Sequence, residues 1–337
     1  MTARERVLAA LPVGVDGVIL ETPAVVSWYL GGARTSVPLG GASVVAVLVG
    51  RDGDEVRCHV MEAERLIAEE GITDATAVDW MQPLVPEEWR RNPRIRSEEQ
   101  LESELRIVRS SLTEIEADRY RTLGAEVAAA LTTVAAATRP GDTERSVAGD
   151  LADNLFSLGA EPVVLLVAGA SRVGYRHPLP TAAALGERAM LVVGARRHGL
   201  IVNLTRWVQF SGSEHPGESG IRTVEADVLD ATVPGAAIAD VFAVLLASYA
   251  ANGFPDEWRH HHQGGPTGYL GRDPKVTLST TGVIAERQAF AWNPSAQGVK
   301  VEDTVLATSA GIELLTRDPA WPTVEVAGRP RPLTMHL

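Results

Sequence analysis

Histidine and arginine supply the first candidate chemistry. Of the eight histidines, three are consecutive, His260-His261-His262, and another, His177, sits in Tyr175-Arg176-His177-Pro178-Leu179-Pro180-Thr181. An imidazole titrating near 6.5 can take a proton from water and return it to a leaving amine close to neutral pH. Pro178 and Pro180 restrict the backbone after His177 and help hold its direction. The triple run invites a zinc reading, because imidazole is a common metal ligand. Consecutive side chains diverge in regular structure, however, which argues against all three meeting at one ion. Arg272, in Leu270-Gly271-Arg272-Asp273, offers a planar fork suited to a carboxylate. Thr205 and Asn293 can hydrogen-bond a neutral carbonyl, amide or urea-like group, and Asn293 or a backbone N–H can serve developing negative charge. Glu302 has two readings of equal weight. It orients His261 or binds an amine, or it pairs with Lys300 or Arg206.

The elements that must position these residues read as follows. In the first hundred residues, strand and helix alternate. Val44–Val49 and Glu55–Val60 are β-rich runs separated by the hairpin signal Asp52-Gly53, and a helix over Glu62–Glu70 stops at Gly71. The Pro- and Arg-rich stretch Pro83–Arg96 has the composition of a linker, and an ordinary loop is the preferred reading. Ser111-Leu112-Thr113-Glu114 is a capping-box pattern ahead of a long Ala- and Leu-rich helix reaching about Ala137. Arg139-Pro140-Gly141-Asp142-Thr143 breaks that helix and caps another, which ends at Leu158-Gly159. Strand-like runs follow at Val163–Ala168, Met190–Val193 and Leu200–Asn203. After Pro234-Gly235, the apolar stripe Ile238, Val241, Phe242, Leu245, Leu246 and Tyr249 has helical spacing and reads as core packing. Helices alternating with antiparallel hairpins suggest an α+β fold, in two domains, 1–100 and 101–337.

Bulk properties narrow the function classes. A length of 337 residues with 45% hydrophobic and 22% charged residues suits two globular domains. Net charge of −12 argues against a nucleic-acid partner, since phosphate binding needs clustered Lys and Arg. Arg90–Arg91 and Arg196–Arg197 are short and read as solvated surface. No apolar run approaches the ~20 residues of a membrane span. The first residues lack the features of a secretory signal. The single cysteine, Cys58, excludes an internal disulfide and fits a reducing compartment, so the expected location is cytoplasmic.

From about Leu105 to Thr316 the chain resembles the pita-bread (creatinase/aminopeptidase P-type) hydrolases. The stretches that carry the resemblance are Leu105–Arg109 with Glu114–Glu116, Arg139–Glu144, Tyr175–Thr181, Val192–Arg206, and Gly298-Val299-Lys300-Val301-Glu302-Asp303-Thr304-Val305-Leu306. The first hundred residues are similar to the small α/β domain that precedes the fold in the creatinase and Xaa-Pro peptidase branch, including Trp28-Tyr29-Leu30-Gly31-Gly32. The resemblance implies a homodimer with sites near the subunit interface.

It also implies where metals would bind. The family's metallopeptidases hold two divalent ions about 3.5–4 Å apart with two Asp, one His and two Glu. At the matching positions this chain has Val192, Asn203, Gly265, Asn293 and Glu302. One carboxylate is too little to bridge and neutralise two ions, so no metal or other cofactor is expected. Metal-free creatinase-like members are closer in pattern: their catalytic histidine matches His177, a second site histidine matches His261, and the arginine receiving the substrate carboxylate matches Arg272. Glutamates that receive a guanidinium cation there are matched by Thr205 and Asn293, which are neutral.

The expectation is therefore a metal-independent hydrolase of a C–N bond in a small carboxylate-bearing substrate, with His177 as general base and acid. His261 and Glu302 join it as catalytic residues, and Arg272, Thr205 and Asn293 bind substrate. A catalytically silent binding protein and an atypical Xaa-Pro peptidase are the alternatives. No role is assigned to His260 or His262. Trp207, Trp258, Trp292 and Tyr269 either wall the pocket or pack the core.

Overall fold

Strand and helix alternate over residues 1–110 around one sheet. The order is α1 (Ala3–Ala10), β1 (Gly17–Leu20), α2 (Pro23–Tyr29), β2 (Val45–Gly50), β3 (Asp54–His59), α3 (Ala63–Glu70), β4 (Ala75–Val78), α4 (Glu87–Arg91), β5 (Ile95–Ser97) and α5 (Glu102–Ser110). The sheet runs β4-β3-β2-β1-β5, with β5 parallel to β1 and β4 parallel to β3. Gly71 ends α3 in the left-handed conformation at φ 69°, the region glycine enters without steric cost. The stretch expected to be a loop or linker holds α4 and the start of β5 instead. Val85 and Trp89 are buried in it against Ile19 and Ala46, and β5 pairs with β1. Two apolar anchors thus outweigh the Pro and Arg around them, because burying an indole is worth more than the local propensities cost.

The computed structural model describes all 337 residues, which form two units: Met1–Ser110 with His198–Leu200, and Ser111–Arg197 with Ile201–Leu337. The second unit opens with α6 (Glu114–Ala137), followed by α7 (Glu144–Ser157), β6 (Glu161–Gly169), β7 (Arg188–Arg197), β8 (Leu200–Gln209), α8 (Glu218–Ala231), α9 (Ile238–Ala251), β9 (Gly264–Thr267) and β10 (Gln288–Trp292). Short β11 (Ser295–Ala296) and β12 (Val299–Lys300) pair with each other. Then come β13 (Asp303–Thr308), β14 (Gly311–Leu314), β15 (Thr323–Val326), β16 (Arg329–Pro332) and β17 (Met335–His336).

The cap of α6 is Thr113, whose hydroxyl accepts from the Glu116 N–H, while the Glu116 carboxylate accepts from the Thr113 N–H. The capping box therefore lies two residues past the Ser111 position. Ser111 donates to the Glu286 carbonyl at 2.6 Å, which takes it out of the helix start. Gly124, inside α6, is required by close approach: a Cβ there would lie 2.4 Å from the Leu315 carbonyl oxygen.

Two four-stranded sheets, β17-β8-β7-β6 and β14-β13-β10-β9, form the centre of this unit. They are tied where the Thr205 N–H donates to the Glu302 carbonyl at 3.0 Å and the Asn203 N–H donates to Thr304 Oγ1 at 2.7 Å. Helices α8 and α9 cover the second sheet through Val224, Val241, Phe242, Leu245, Phe290 and Trp292. The buried arginine Arg331 pairs with Glu225 and Asp303, and Arg206 reaches Asp303 at 2.7 Å, so this interior charge is neutralised in place. No helix is long and apolar enough to cross a membrane.

Candidate functional site

His177 lies in the irregular segment between β6 and β7, and two anchors hold that segment. Glu144, fully buried at the start of α7, accepts from the Gly169 N–H at 2.9 Å, the Thr181 N–H at 2.8 Å and the Thr181 hydroxyl at 2.7 Å. It also pairs with Arg172. Burial would raise this carboxyl, but these donors outweigh it and hold it below the usual range. Next to His177, Arg176 bonds Ser295 Oγ at 3.1 Å and pairs with Glu257.

His261 and His262 come from the loop ahead of β9. Gln263 fixes that loop: its Nε2 donates to the His261 carbonyl at 2.7 Å, its Oε1 accepts from the Tyr249 hydroxyl at 2.6 Å, and its carbonyl accepts from the Asn293 N–H at 3.1 Å. The result brings two of the three consecutive histidines to His177. His261 Nε2 lies 2.9 Å from His177 Nε2, and the His261 and His262 rings stack with centroids 4.3 Å apart. One nitrogen from each of His177, His261 and His262 falls within 4.8 Å of the others. The expected divergence holds for His260 alone, which turns outward toward Glu257 at 3.6 Å. Residues 260–263 are not in regular structure, so the alternation that separates neighbours on a strand does not apply to His262.

A charged cluster adjoins these rings. Glu302, buried, accepts from Thr205 Oγ1 at 3.0 Å, Arg272 Nη2 at 2.5 Å and Lys300 Nζ at 2.8 Å. Burial would raise its carboxyl, yet Lys300 and Arg272 prevail and hold it at about 2. The pairing with Lys300 is thus present. Arg206 bonds the Glu302 carbonyl oxygen and neutralises Asp303 instead. The three imidazoles are kept neutral: burial, reinforced by Lys300, lowers His177 and takes His261 down to about 3, and burial with Arg272 takes His262 to about 4.

Several buried polar atoms of this web have no hydrogen-bond partner: Asn203 Nδ2, Asn293 Oδ1, Arg272 Nε, and Nδ1 of both His261 and His262. Buried polar atoms are normally satisfied, so each of these exceptions calls for an explanation. Asn203 and Asn293 thus present a donor and an acceptor respectively. Of the aromatics, Trp292 belongs to the core, and Tyr269 bonds Glu116 at 2.8 Å. Trp207, whose indole donates to the Lys300 carbonyl at 2.8 Å, shares a cleft with His261, Met190 and Ser295. Trp258 donates to the Pro255 carbonyl at 3.1 Å and meets Phe242 edge to face.

The residues at the five matched positions do not fit a bridged metal pair. Val192 is packed among Leu166, Ala168, Met190 and Trp207. Gly265 has φ +136°, and a Cβ there would lie 2.5 Å from Val276 Cγ2 and 2.9 Å from the Pro274 carbonyl oxygen, so the space for a histidine is filled. Glu302 is already neutralised by two cations, which would repel an incoming one. Sequence reasoning does not reach the roles of Glu144, Tyr249 and Gln263. Glu144 was visible only as part of a turn motif, and Tyr249 only as one apolar position in a helical stripe.

No family model and no curated protein matches the sequence. Solved structures match its fold over nearly the whole chain. An Xaa-Pro dipeptidase from Bacillus anthracis superposes with a TM-score of 0.79 at 14% identity, covering 99% of each chain. The prolidase from Pyrococcus horikoshii gives 0.76 at 18%, over 94% of this chain and 98% of that one. An X-Pro aminopeptidase from Thermotoga maritima gives 0.76 at 15%, over 99% of each. The chain has the pita-bread fold of these proteins, with a smaller α/β unit before it.

Proposed function

We propose that the protein hydrolyses a C–N bond in a small carboxylate-bearing molecule without a paired-metal centre. The observation that carries this reading is the contact of His177 Nε2 with His261 Nε2 at 2.9 Å, with Arg272 and Lys300 paired on Glu302 in the same unit. The structurally similar proteins bear the names of Xaa-Pro peptidases, which supports amide hydrolysis as the reaction class.

His177 is neutral at pH 7 and able to accept a proton from water as that water attacks the carbonyl carbon. A C–O bond forms, the C–N bond breaks, and His177 returns the proton to the departing nitrogen. His261, in contact through Nε2, orients the base. Asn293 or a backbone N–H serves the negative charge that develops on the carbonyl oxygen. Glu302 offsets only one of the two cations it binds, so Arg272 and Lys300 together retain a positive charge that a substrate carboxylate balances. Thr205, bonded to Glu302, adjoins that pair, and Asn293 is the other residue assigned to substrate. By the same reading the protein is a cytoplasmic homodimer.

A silent binding protein is the second reading. It is favoured by Glu302, which already engages Thr205, Arg272 and Lys300 in the resting state. The two are separated by screening small N-acyl and amidino carboxylates for thermal stabilisation and following each hit for turnover. His177→Ala should lower turnover by roughly 10²–10⁴. Ligands that stabilise the protein and are never consumed would instead establish the binding role.

A further inference from the structure

We propose that His177, His261 and His262 form a binding site for one nitrogen-preferring divalent cation, Zn²⁺ foremost, separate from the carboxylate-bridged pair whose positions this chain has lost. It does not depend on the hydrolase reading.

Three imidazoles from two loops present nitrogens within 4.8 Å of one another, and two of them are already 2.9 Å apart. Zn–N bonds of about 2.0–2.1 Å place two nitrogens on one tetrahedral ion about 3.4 Å apart, so the trio closes on an ion with shifts of about 1 Å. His177 is the exposed member, on an irregular segment, and its ring can move by that amount without disturbing the core. The Nδ1 atoms of His261 and His262 have no other partner, so no competing hydrogen bond holds those rings away.

The surroundings decide which ion fits. Lys300, Lys275 and Arg272 act on these rings, and Glu302 is the carboxylate that opposes them. Hard ions such as Mg²⁺ or Mn²⁺ need anionic oxygen, which the trio does not offer. An ion must instead gain enough from imidazole nitrogen to tolerate three nearby cations, which favours Zn²⁺ and Cu²⁺ by ligand type and by the general order of affinities. Three protein ligands leave a fourth position for an anion, and the same cations suit a carboxylate there.

The test uses the whole chain, stripped of metal and titrated with Co²⁺ followed by visible absorption, then with Zn²⁺ in competition. One equivalent per chain is expected, with tetrahedral Co²⁺ bands that Zn²⁺ abolishes. His177→Gln, His261→Gln and His262→Gln should each weaken Zn²⁺ by at least about a hundredfold, since loss of even an outer partner costs 10–100-fold. His260→Gln should bind as the parent does. Circular dichroism of each variant confirms that it is folded, and His177, being exposed, is the replacement least able to disturb folding. Unchanged binding by folded His177→Gln would place the ion on the 260–262 run alone and overturn the site. So would a preference for Mn²⁺ at two equivalents, or no binding at all. Bound Zn²⁺ takes the lone pair that His177 needs as a base. A stoichiometric Zn²⁺ complex that leaves turnover unaffected would therefore refute the general-base reading while the metal site stands.

Discussion

His177 and His261, 84 positions apart in sequence, meet through their Nε2 atoms at 2.9 Å. One loop is held by Glu144 and Arg176 and the other by Gln263, so the contact is built by buried partners on both sides. If His177 is the base, its replacement by alanine should reduce kcat with little change in KM. Turnover within about threefold of the parent would be too small an effect for a general base.

Glu144 should govern the site from a distance. Glu144→Ala leaves the Gly169 and Thr181 N–H groups without acceptors in the interior. Each buried donor without an acceptor costs about 1–3 kcal/mol, so a loss of about 3 kcal/mol in urea unfolding is expected. The segment 170–187 should also become the first site of limited proteolysis. Parent-like stability and an unaltered cleavage pattern would mean that the clamp is not needed.

Placing a histidine at position 265 should not create a metal site. At φ +136°, with Val276 and Pro274 already against the backbone, Gly265→His should lose about 2 kcal/mol or more to strain and overpacking. It should gain no Mn²⁺, as measured by elemental analysis. A stable variant that binds manganese would show that Gly265 alone keeps the ion out.

Glu302 should contribute a defined pH dependence to stability. Its folded carboxyl sits at about 2, below the usual value of 4.5, so the stabilisation is complete above the unfolded value and is lost as pH falls toward 2. A shift of that size corresponds to about 3 kcal/mol. Urea unfolding of the parent and Glu302→Gln should therefore differ most above about pH 5 and converge near pH 2.5. A gap independent of pH would mean that the carboxylate charge is not what Lys300 and Arg272 stabilise.

The fold was legible because its signals are local. The Asp52-Gly53 hairpin, the Gly71 stop and the stripe of α9 depend on neighbours in sequence. The long helix ended where expected, and its capping box appeared two residues late because Thr113-x-x-Glu116 carries the same pattern as the stretch before it. Pro83–Arg96 looks like loop in sequence because Trp89 and Val85 find their partners only in three dimensions. In the site, Glu302 and Lys300 are close in sequence and their pairing was anticipated, whereas Gln263 and Tyr249 act through contacts no spacing encodes. The place of His262 is not legible in sequence, because the divergence of neighbours holds for regular structure and not for this loop.

The most direct measurement is the metal content of protein purified without chelator, together with activity on a substrate found by screening. At most one divalent equivalent per chain, held by the histidines, and turnover that survives EDTA are expected. Two equivalents of manganese or cobalt per chain, with activity abolished by EDTA and restored by manganese, would contradict the absence of a paired-metal centre.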